Sequence, residues 1–167
     1  MRPVSAESQE LLEVAVGRLL SAQKQTLAIA ESCTGGLITH RLTNVPGSSG
    51  YLVAGVIAYA YEAKVAALGV SWDTLNQYGA VSEEVARAMA RGARDKFSST
   101  LGLAVTGIAG PGGGMPEKPV GLTYIALADA DGEIVKRYVW SGDRVQNKTH
   151  SAQAALTLLK EYLENKS

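Results

Sequence analysis

The stretch Thr26-Leu27-Ala28-Ile29-Ala30-Glu31-Ser32-Cys33-Thr34-Gly35-Gly36-Leu37-Ile38 decides the fold. Its first five residues are a short apolar run, consistent with a buried strand. Small hydroxyl and thiol side chains follow, then paired glycines. Leu37, Ile38, Arg41 and Leu42 then recur at helical spacing until Asn44 and Pro46 end the helix. A strand that turns through glycine into a helix is the building unit of a layered α/β domain.

The same alternation continues on both sides. Upstream, Leu11, Leu12, Val14, Ala15, Val16, Leu19 and Leu20 predict an amphipathic helix over residues 5–23. Downstream, Pro46-Gly47-Ser48-Ser49 is turn chemistry. Tyr51 to Tyr59 reads as a second buried strand, and a helix runs on through Lys64 and Leu68 to Gly69. Ser71 and Ser82 are placed to cap helices, the second carrying Glu83 and Glu84 in its first turn and reaching about Phe97. Leu101 to Val105 is a third apolar strand and leads into a long glycine loop. Val120 to Ala128, Asp131-Gly132 and Glu133 to Trp140 read as strand, tight turn and strand, an antiparallel hairpin. Thr149 to Leu163 closes the chain as an amphipathic helix. The expected fold class is therefore α/β: one layered domain over residues 1–167, with a mixed β-sheet flanked by helices. No internal repeat, low-complexity segment or domain boundary interrupts it.

Bulk composition narrows the function classes. Sixteen basic and sixteen acidic residues balance, so no net field draws the chain to nucleic acid or to a membrane surface, and any phosphate recognition must be local. The single cysteine, Cys33, rules out an intramolecular disulfide and suits a reducing compartment. Met1 to Gln9 contains no apolar core of a signal peptide, and no apolar run is long enough to span a bilayer. The expectation is a cytoplasmic protein. Glycine is abundant, with eighteen residues that cluster at Gly35-Gly36 and between Gly107 and Gly114. Such clusters mark backbone that bends sharply or approaches a ligand closely; flexible linkage is the alternative.

Chemistry in open α/β sheets gathers at the carboxyl ends of the strands. Three segments qualify: Glu31 to Gly36, Tyr59 to Lys64, and Thr106 to Gly114. If their strands are parallel neighbours, the three converge on one rim. Ser32, Cys33 and Thr34 read equally as helix caps or as a nucleophile beside backbone N–H groups able to hold an oxyanion. Lys64 alone reads as a solvated cation and Tyr59 alone as a packing residue. The glycine loop is neither a P-loop nor a dinucleotide fingerprint. Taken together, serine, lysine and tyrosine can make a hydrolytic set without histidine, provided partial burial or a neighbouring cation lowers the lysine pKa. His40 falls in a helix and His150 begins the last one, so neither is expected at the rim and a Ser-His-Asp triad is not favoured. Neither a metal-binding H-E-x-x-H nor a cysteine pair is present. Cys33, next to Ser32, is the rival nucleophile, although burial with no histidine nearby favours an inert thiol.

Several blocks carry a family resemblance. Ala30-Glu31-Ser32-Cys33-Thr34-Gly35-Gly36, Pro46-Gly47-Ser48-Ser49, Tyr78-Gly79-Ala80-Val81-Ser82 and Val105-Thr106-Gly107-Ile108-Ala109-Gly110-Pro111, with Lys118-Pro119-Val120-Gly121, resemble the CinA carboxyl-terminal domain family in the same order over nearly the whole chain. The resemblance is to its stand-alone nicotinamide mononucleotide deamidase type. It implies hydrolysis of the carboxamide of nicotinamide mononucleotide to nicotinate mononucleotide and ammonia, with no cofactor and no metal. It places the nucleophile on Ser32 and its partners on Lys64 and Tyr59. It also matches Thr106 and the arginine of Gly142-Asp143-Arg144; on the residues' own chemistry, substrate and oxyanion contacts are expected at Thr34, Gly35, Gly36, Thr106, Gly107 and Gly110, and the 5′-phosphate at the Arg144 guanidinium. Expected partners are this small molecule and further copies of the chain, as a homodimer or larger. A non-catalytic nucleotide-sensing or competence-associated module is the alternative. The chain departs from the family at Ala60-Tyr61, where Ser-Asn is common, and at Ala54-Gly55, where paired glycines are common.

Overall fold

The computed structural model describes residues 10–166. The elements run in order: α1 Leu12–Ala22, β1 Leu27–Glu31, α2 Leu37–Thr43, β2 Leu52–Ile57, α3 Tyr61–Leu68, α4 Trp72–Tyr78, α5 Glu83–Lys96, β3 Leu101–Gly107, β4 Leu122–Ala128, β5 Glu133–Val139 and α6 Arg144–Asn165. A short 3-10 turn, Ser48–Gly50, precedes β2. The signal-peptide reading of Met1 to Gln9 and the first residues of the predicted 5–23 helix lie outside the described residues. Among the described residues, no helix is long and apolar enough to cross a membrane.

The five strands form one mixed sheet in the order β2-β1-β3-β4-β5. β1 pairs in parallel with β2 and β3, while β4 and β5 are antiparallel. The condition set by the sequence is met: the three chemistry-bearing segments leave adjacent parallel strands at the same edge. The chain crosses from β1 to β2 on one side and returns from β2 to β3 on the other, so the sheet has its switch point beside β1, where crevices form in such folds.

Strand periodicity sorts the two cores. Leu27 and Ile29 of β1, Leu101, Leu103 and Val105 of β3, and Ile125 and Leu127 of β4 pack with α1, α2 and α6. The alternate residues, Ala28, Ala30, Ala104, Ala126 and Ala128, meet α3, α4 and α5. One face is built of large side chains and the other of methyl groups, which lets α5 lie close to the sheet. At Gly102 the approach leaves no room at all: a Cβ there would stand 2.0 Å from the Ala90 carbonyl oxygen and 2.9 Å from Arg94 Cβ. Gly102→Ala is therefore expected to destabilise the fold by roughly 3 kcal/mol, as overpacking against backbone does. Gly112→Ala, where nothing lies within 4 Å, is the matched control. Urea-unfolding midpoints measure both, and equal midpoints would remove the close-packing account.

Two helix caps follow the sequence reading. The Ser71 and Ser82 hydroxyls accept from the N–H of Thr74 (3.0 Å) and Val85 (3.3 Å). The last helix corrects it. α6 starts at Arg144, not near Thr149, because Asp143 and Gln146 form a reciprocal capping box. His150 consequently lies inside the helix and packs against Trp140.

Candidate active site

Side chains alternate along β1, and the alternation carries past its end. Glu31 turns toward α2, while Ser32, one residue on, turns toward α3. Their backbones stitch the strand ends together: the Ala58 N–H donates to the Glu31 carbonyl (2.9 Å) and the Ser32 N–H to the Val105 carbonyl (3.0 Å). Ser32 is held between the ends of β2 and β3 before any side chain contributes.

Lys64 reaches it from the first turns of α3. Its side chain is 1% exposed, an unusual place for a lysine. The ammonium nitrogen lies 3.1 Å from Ser32 Oγ, 2.8 Å from the Ala58 carbonyl and 2.9 Å from the Tyr59 carbonyl. No carboxylate pairs with it among the described residues. Burial pushes its pKa down to about 8. The three partners determine what the neutral amine can do. Two are carbonyls, which only accept, so they take its two remaining N–H bonds. The lone pair is left facing the one neighbour able to donate, the Ser32 hydroxyl. That is the geometry of a base and its nucleophile.

Glu31, fully buried, organises the turn on the opposite side. Its carboxylate accepts five hydrogen bonds: from Thr34 Oγ1 (2.5 Å), the N–H groups of Gly36 (3.1 Å), Ile38 (3.2 Å) and Thr39 (2.8 Å), and Thr39 Oγ1 (2.8 Å). It caps the start of α2 from the preceding strand, with its negative charge at the positive end of that helix. Gly55 permits this, since a Cβ there would fall 2.3 Å from Thr39 Oγ1. The cap revises the expected oxyanion donors. Gly36 N–H is committed to Glu31 and Gly35 N–H to the Ser32 carbonyl at 3.1 Å. In the turn, only Cys33 and Thr34 have N–H groups without an acceptor in another residue among the described residues. Cys33 is buried, and burial pushes its thiol up to about 12, so it carries almost no thiolate at neutral pH.

The third segment is tied to α6. Arg144 Nη1 donates to the Gly110 carbonyl (2.7 Å) and Nη2 to the Tyr59 hydroxyl (3.0 Å). Buried Asn147 donates to the Ala109 carbonyl (3.0 Å) and accepts from the Gly142 N–H (3.0 Å). Thr106 Oγ1 donates to the Ala80 carbonyl at 2.8 Å. Thus Tyr59 meets Lys64 through its carbonyl, while its hydroxyl turns across the rim to Arg144. The contact of Lys64 with Ser32 is direct and does not pass through the Tyr59 hydroxyl. Gly107 and Gly110 are required by the chain itself: Cβ atoms there would stand 2.7 Å from Thr123 Oγ1 and 2.5 Å from Val120 Cγ1.

Two crevices open on this rim, one on each side of Val145. One, of about 420 Å³, lies between Thr34–Leu37 and α6; the other, of about 480 Å³, lies between the glycine loop and Arg144. His40, expected away from the rim, lines the first because α2 turns that face of its helix toward Lys148.

The family model described as CinA C-terminal domain matches residues 9–163. The chain belongs to the CinA family. A putative competence-damage inducible protein of Halothermothrix orenii is 50% identical over 163 residues, covering 96% of this chain and 39% of the relative. A CinA-like protein of Geobacter sulfurreducens is 52% identical over 160 residues, again 96% and 39%. The chain thus spans about two fifths of the length of these relatives. Among solved structures, a competence-damaged protein (CinA) superfamily protein from Klebsiella pneumoniae superposes with a TM-score of 0.89 at 30% identity, covering 92% of this chain and 96% of that one. The competence/damage inducible protein CihA from Agrobacterium tumefaciens gives 0.86 at 37%, covering 92% and 95%. The mixed sheet with helices on both faces is the CinA fold.

Within this CinA domain, the departure at Ala60-Tyr61 has a structural counterpart. Ala60 is the N-cap of α3 and offers no side-chain cap. Tyr61 accepts from the Ala80 N–H at 3.2 Å and packs near Trp72. It braces the loop that holds Thr106, and its side chain makes no hydrogen bond to Lys64.

Proposed function

We propose that this CinA domain is an amidohydrolase that converts nicotinamide mononucleotide to nicotinate mononucleotide and ammonia. The observation that carries this reading is the buried Lys64 nitrogen 3.1 Å from Ser32 Oγ, with no carboxylate paired to it among the described residues. Lys64 takes the serine proton as Ser32 attacks the carboxamide carbon. The developing oxyanion is held by the N–H groups of Cys33 and Thr34, which have no acceptor in another residue among the described residues. Protonated Lys64 then delivers the proton to the departing ammonia, and water, activated by the same amine, hydrolyses the acyl-enzyme. Thr106, Gly107 and Gly110 shape the wall opposite. Arg144 keeps N–H groups beyond the two it uses for Gly110 and Tyr59, and these serve the 5′-phosphate. The reaction needs no cofactor. A cytoplasmic setting and a homodimer or larger assembly belong to the same reading.

An ammonia-release assay over nicotinamide, its riboside, its mononucleotide and NAD tests it. The expected order places the mononucleotide first by a wide margin. Binding of the mononucleotide with no ammonia released at high enzyme concentration would overturn the enzymatic reading in favour of a nucleotide-sensing module.

A further inference from the structure

The start of α6 carries two cations just inside its capping box. Arg144 is its first residue, and Lys148 stands one turn on, so the two project from one face of the helix. Like charges at that spacing repel, and cations at a helix N-terminus oppose the macrodipole. No acidic residue lies in the first turn, and the one carboxylate at the cap, Asp143, accepts from the Gln146 N–H at 2.8 Å.

The two cations differ in how they are held. Arg144 is anchored by Gly110 and Tyr59. Lys148 is half-buried yet makes no hydrogen bond or ion pair among the described residues. Its ammonium lies over the nucleophile turn, 3.6 Å from where a Gly35 Cβ would be, and lines the crevice of about 420 Å³ with Gly36, His40 and Thr149. A half-buried ammonium with three unused donors, lining a crevice and one helical turn on from a second cation, lacks an anion.

We propose that Lys148 is a phosphate-binding residue, holding with Arg144 the phosphate monoester of a nucleotide whose other end reaches Ser32. The identity of that nucleotide rests on the deamidase reading; the anion site does not. A phosphate dianion between the two cations removes their mutual repulsion and supplies the acceptors that Lys148 lacks. A riboside, without the phosphate, gains nothing from either.

Lys148→Gln removes the charge at nearly constant length, and Lys148→Arg restores it. The ratio of kcat/KM for the mononucleotide to that for the riboside is expected to fall about 10- to 100-fold in Lys148→Gln, the size of one charge-assisted hydrogen bond, and to recover in Lys148→Arg. Inhibition by inorganic phosphate should weaken in parallel. An unchanged ratio, or equal losses for both compounds, would overturn the proposal. If the wild-type protein releases no ammonia from either compound, the deamidase reading fails, and calorimetric titration of the mononucleotide and of inorganic phosphate still decides this one. Binding by wild type that is lost in Lys148→Gln and regained in Lys148→Arg sustains the site; equal binding by wild type and Lys148→Gln, or none by wild type, removes it.

Discussion

Ser32→Ala is expected to reduce ammonia release from nicotinamide mononucleotide by about 1,000-fold or more, while the affinity for the nucleotide changes by no more than a few-fold. Loss of a nucleophile removes the covalent route, and what remains comes from binding and oxyanion contacts alone. The substitution is structurally mild. Ser32 is placed by its backbone bond to Val105, and among the described residues its hydroxyl has only Lys64 as a partner. Lys64 keeps both backbone carbonyls. Cys33→Ala is the companion measurement. Its thiol is buried and pushed up to about 12, so turnover should stay close to wild type. Turnover in Ser32→Ala within tenfold of wild type, or a collapse in Cys33→Ala with the fold intact, would move the nucleophile to the thiol.

Lys64 carries the second large effect, and its signature is a pH dependence. The active form is the neutral amine. Burial lowers the pKa to about 8, so kcat/KM should rise with pH through the neutral range and level off above about 8. At pH 6, two units below, activity should be about 100-fold under the plateau, with a slope of one on a logarithmic plot. The sign follows from the direction of the shift: a lysine at its ordinary value would keep rising beyond pH 10. Lys64→Met should lose activity nearly as completely as Ser32→Ala. Lys64→Arg should do so as well, because a guanidinium cannot give up its proton. A functional Lys64→Arg, or a flat profile between pH 6 and 8, would reduce Lys64 to a positioning cation.

Much of the architecture was legible because periodicity reports burial. The apolar runs at Leu27–Ala30 and Leu101–Val105, the Ser71 and Ser82 caps and the Asp131-Gly132 turn each carry a local signal that tertiary contacts reinforce. The start of α6 was misread for an equally local reason. Gly142-Asp143-Arg144 resembles a motif loop, while the capping box depends on Asp143 and Gln146 meeting across a turn. Glu31 and Asn147 escaped notice for a different reason. Neither belongs to the nucleophilic set, and each matters through hydrogen bonds to atoms of other segments: the start of α2 for one, the Ala109 carbonyl and Gly142 for the other. Period-two alternation does imply that Glu31 and Ser32 face opposite sides, and that was the available clue.

By itself the sequence determined the α/β class, the membership signalled by its motif blocks and the short set of residues able to do chemistry. These are properties of local pattern, and each is written in a few consecutive side chains. Only the tertiary structure decided the roles available to them. Whether Lys64 is a solvated cation or a base with a lowered pKa depends on its burial between α3 and the sheet edge and on two carbonyls just after β2. Whether the Tyr59 hydroxyl faces Ser32 or Arg144, and whether Gly36 N–H is free or spent on Glu31, depends on strands that meet only in the sheet. Acid strength and hydrogen-bond direction are set by surroundings drawn from distant parts of the chain.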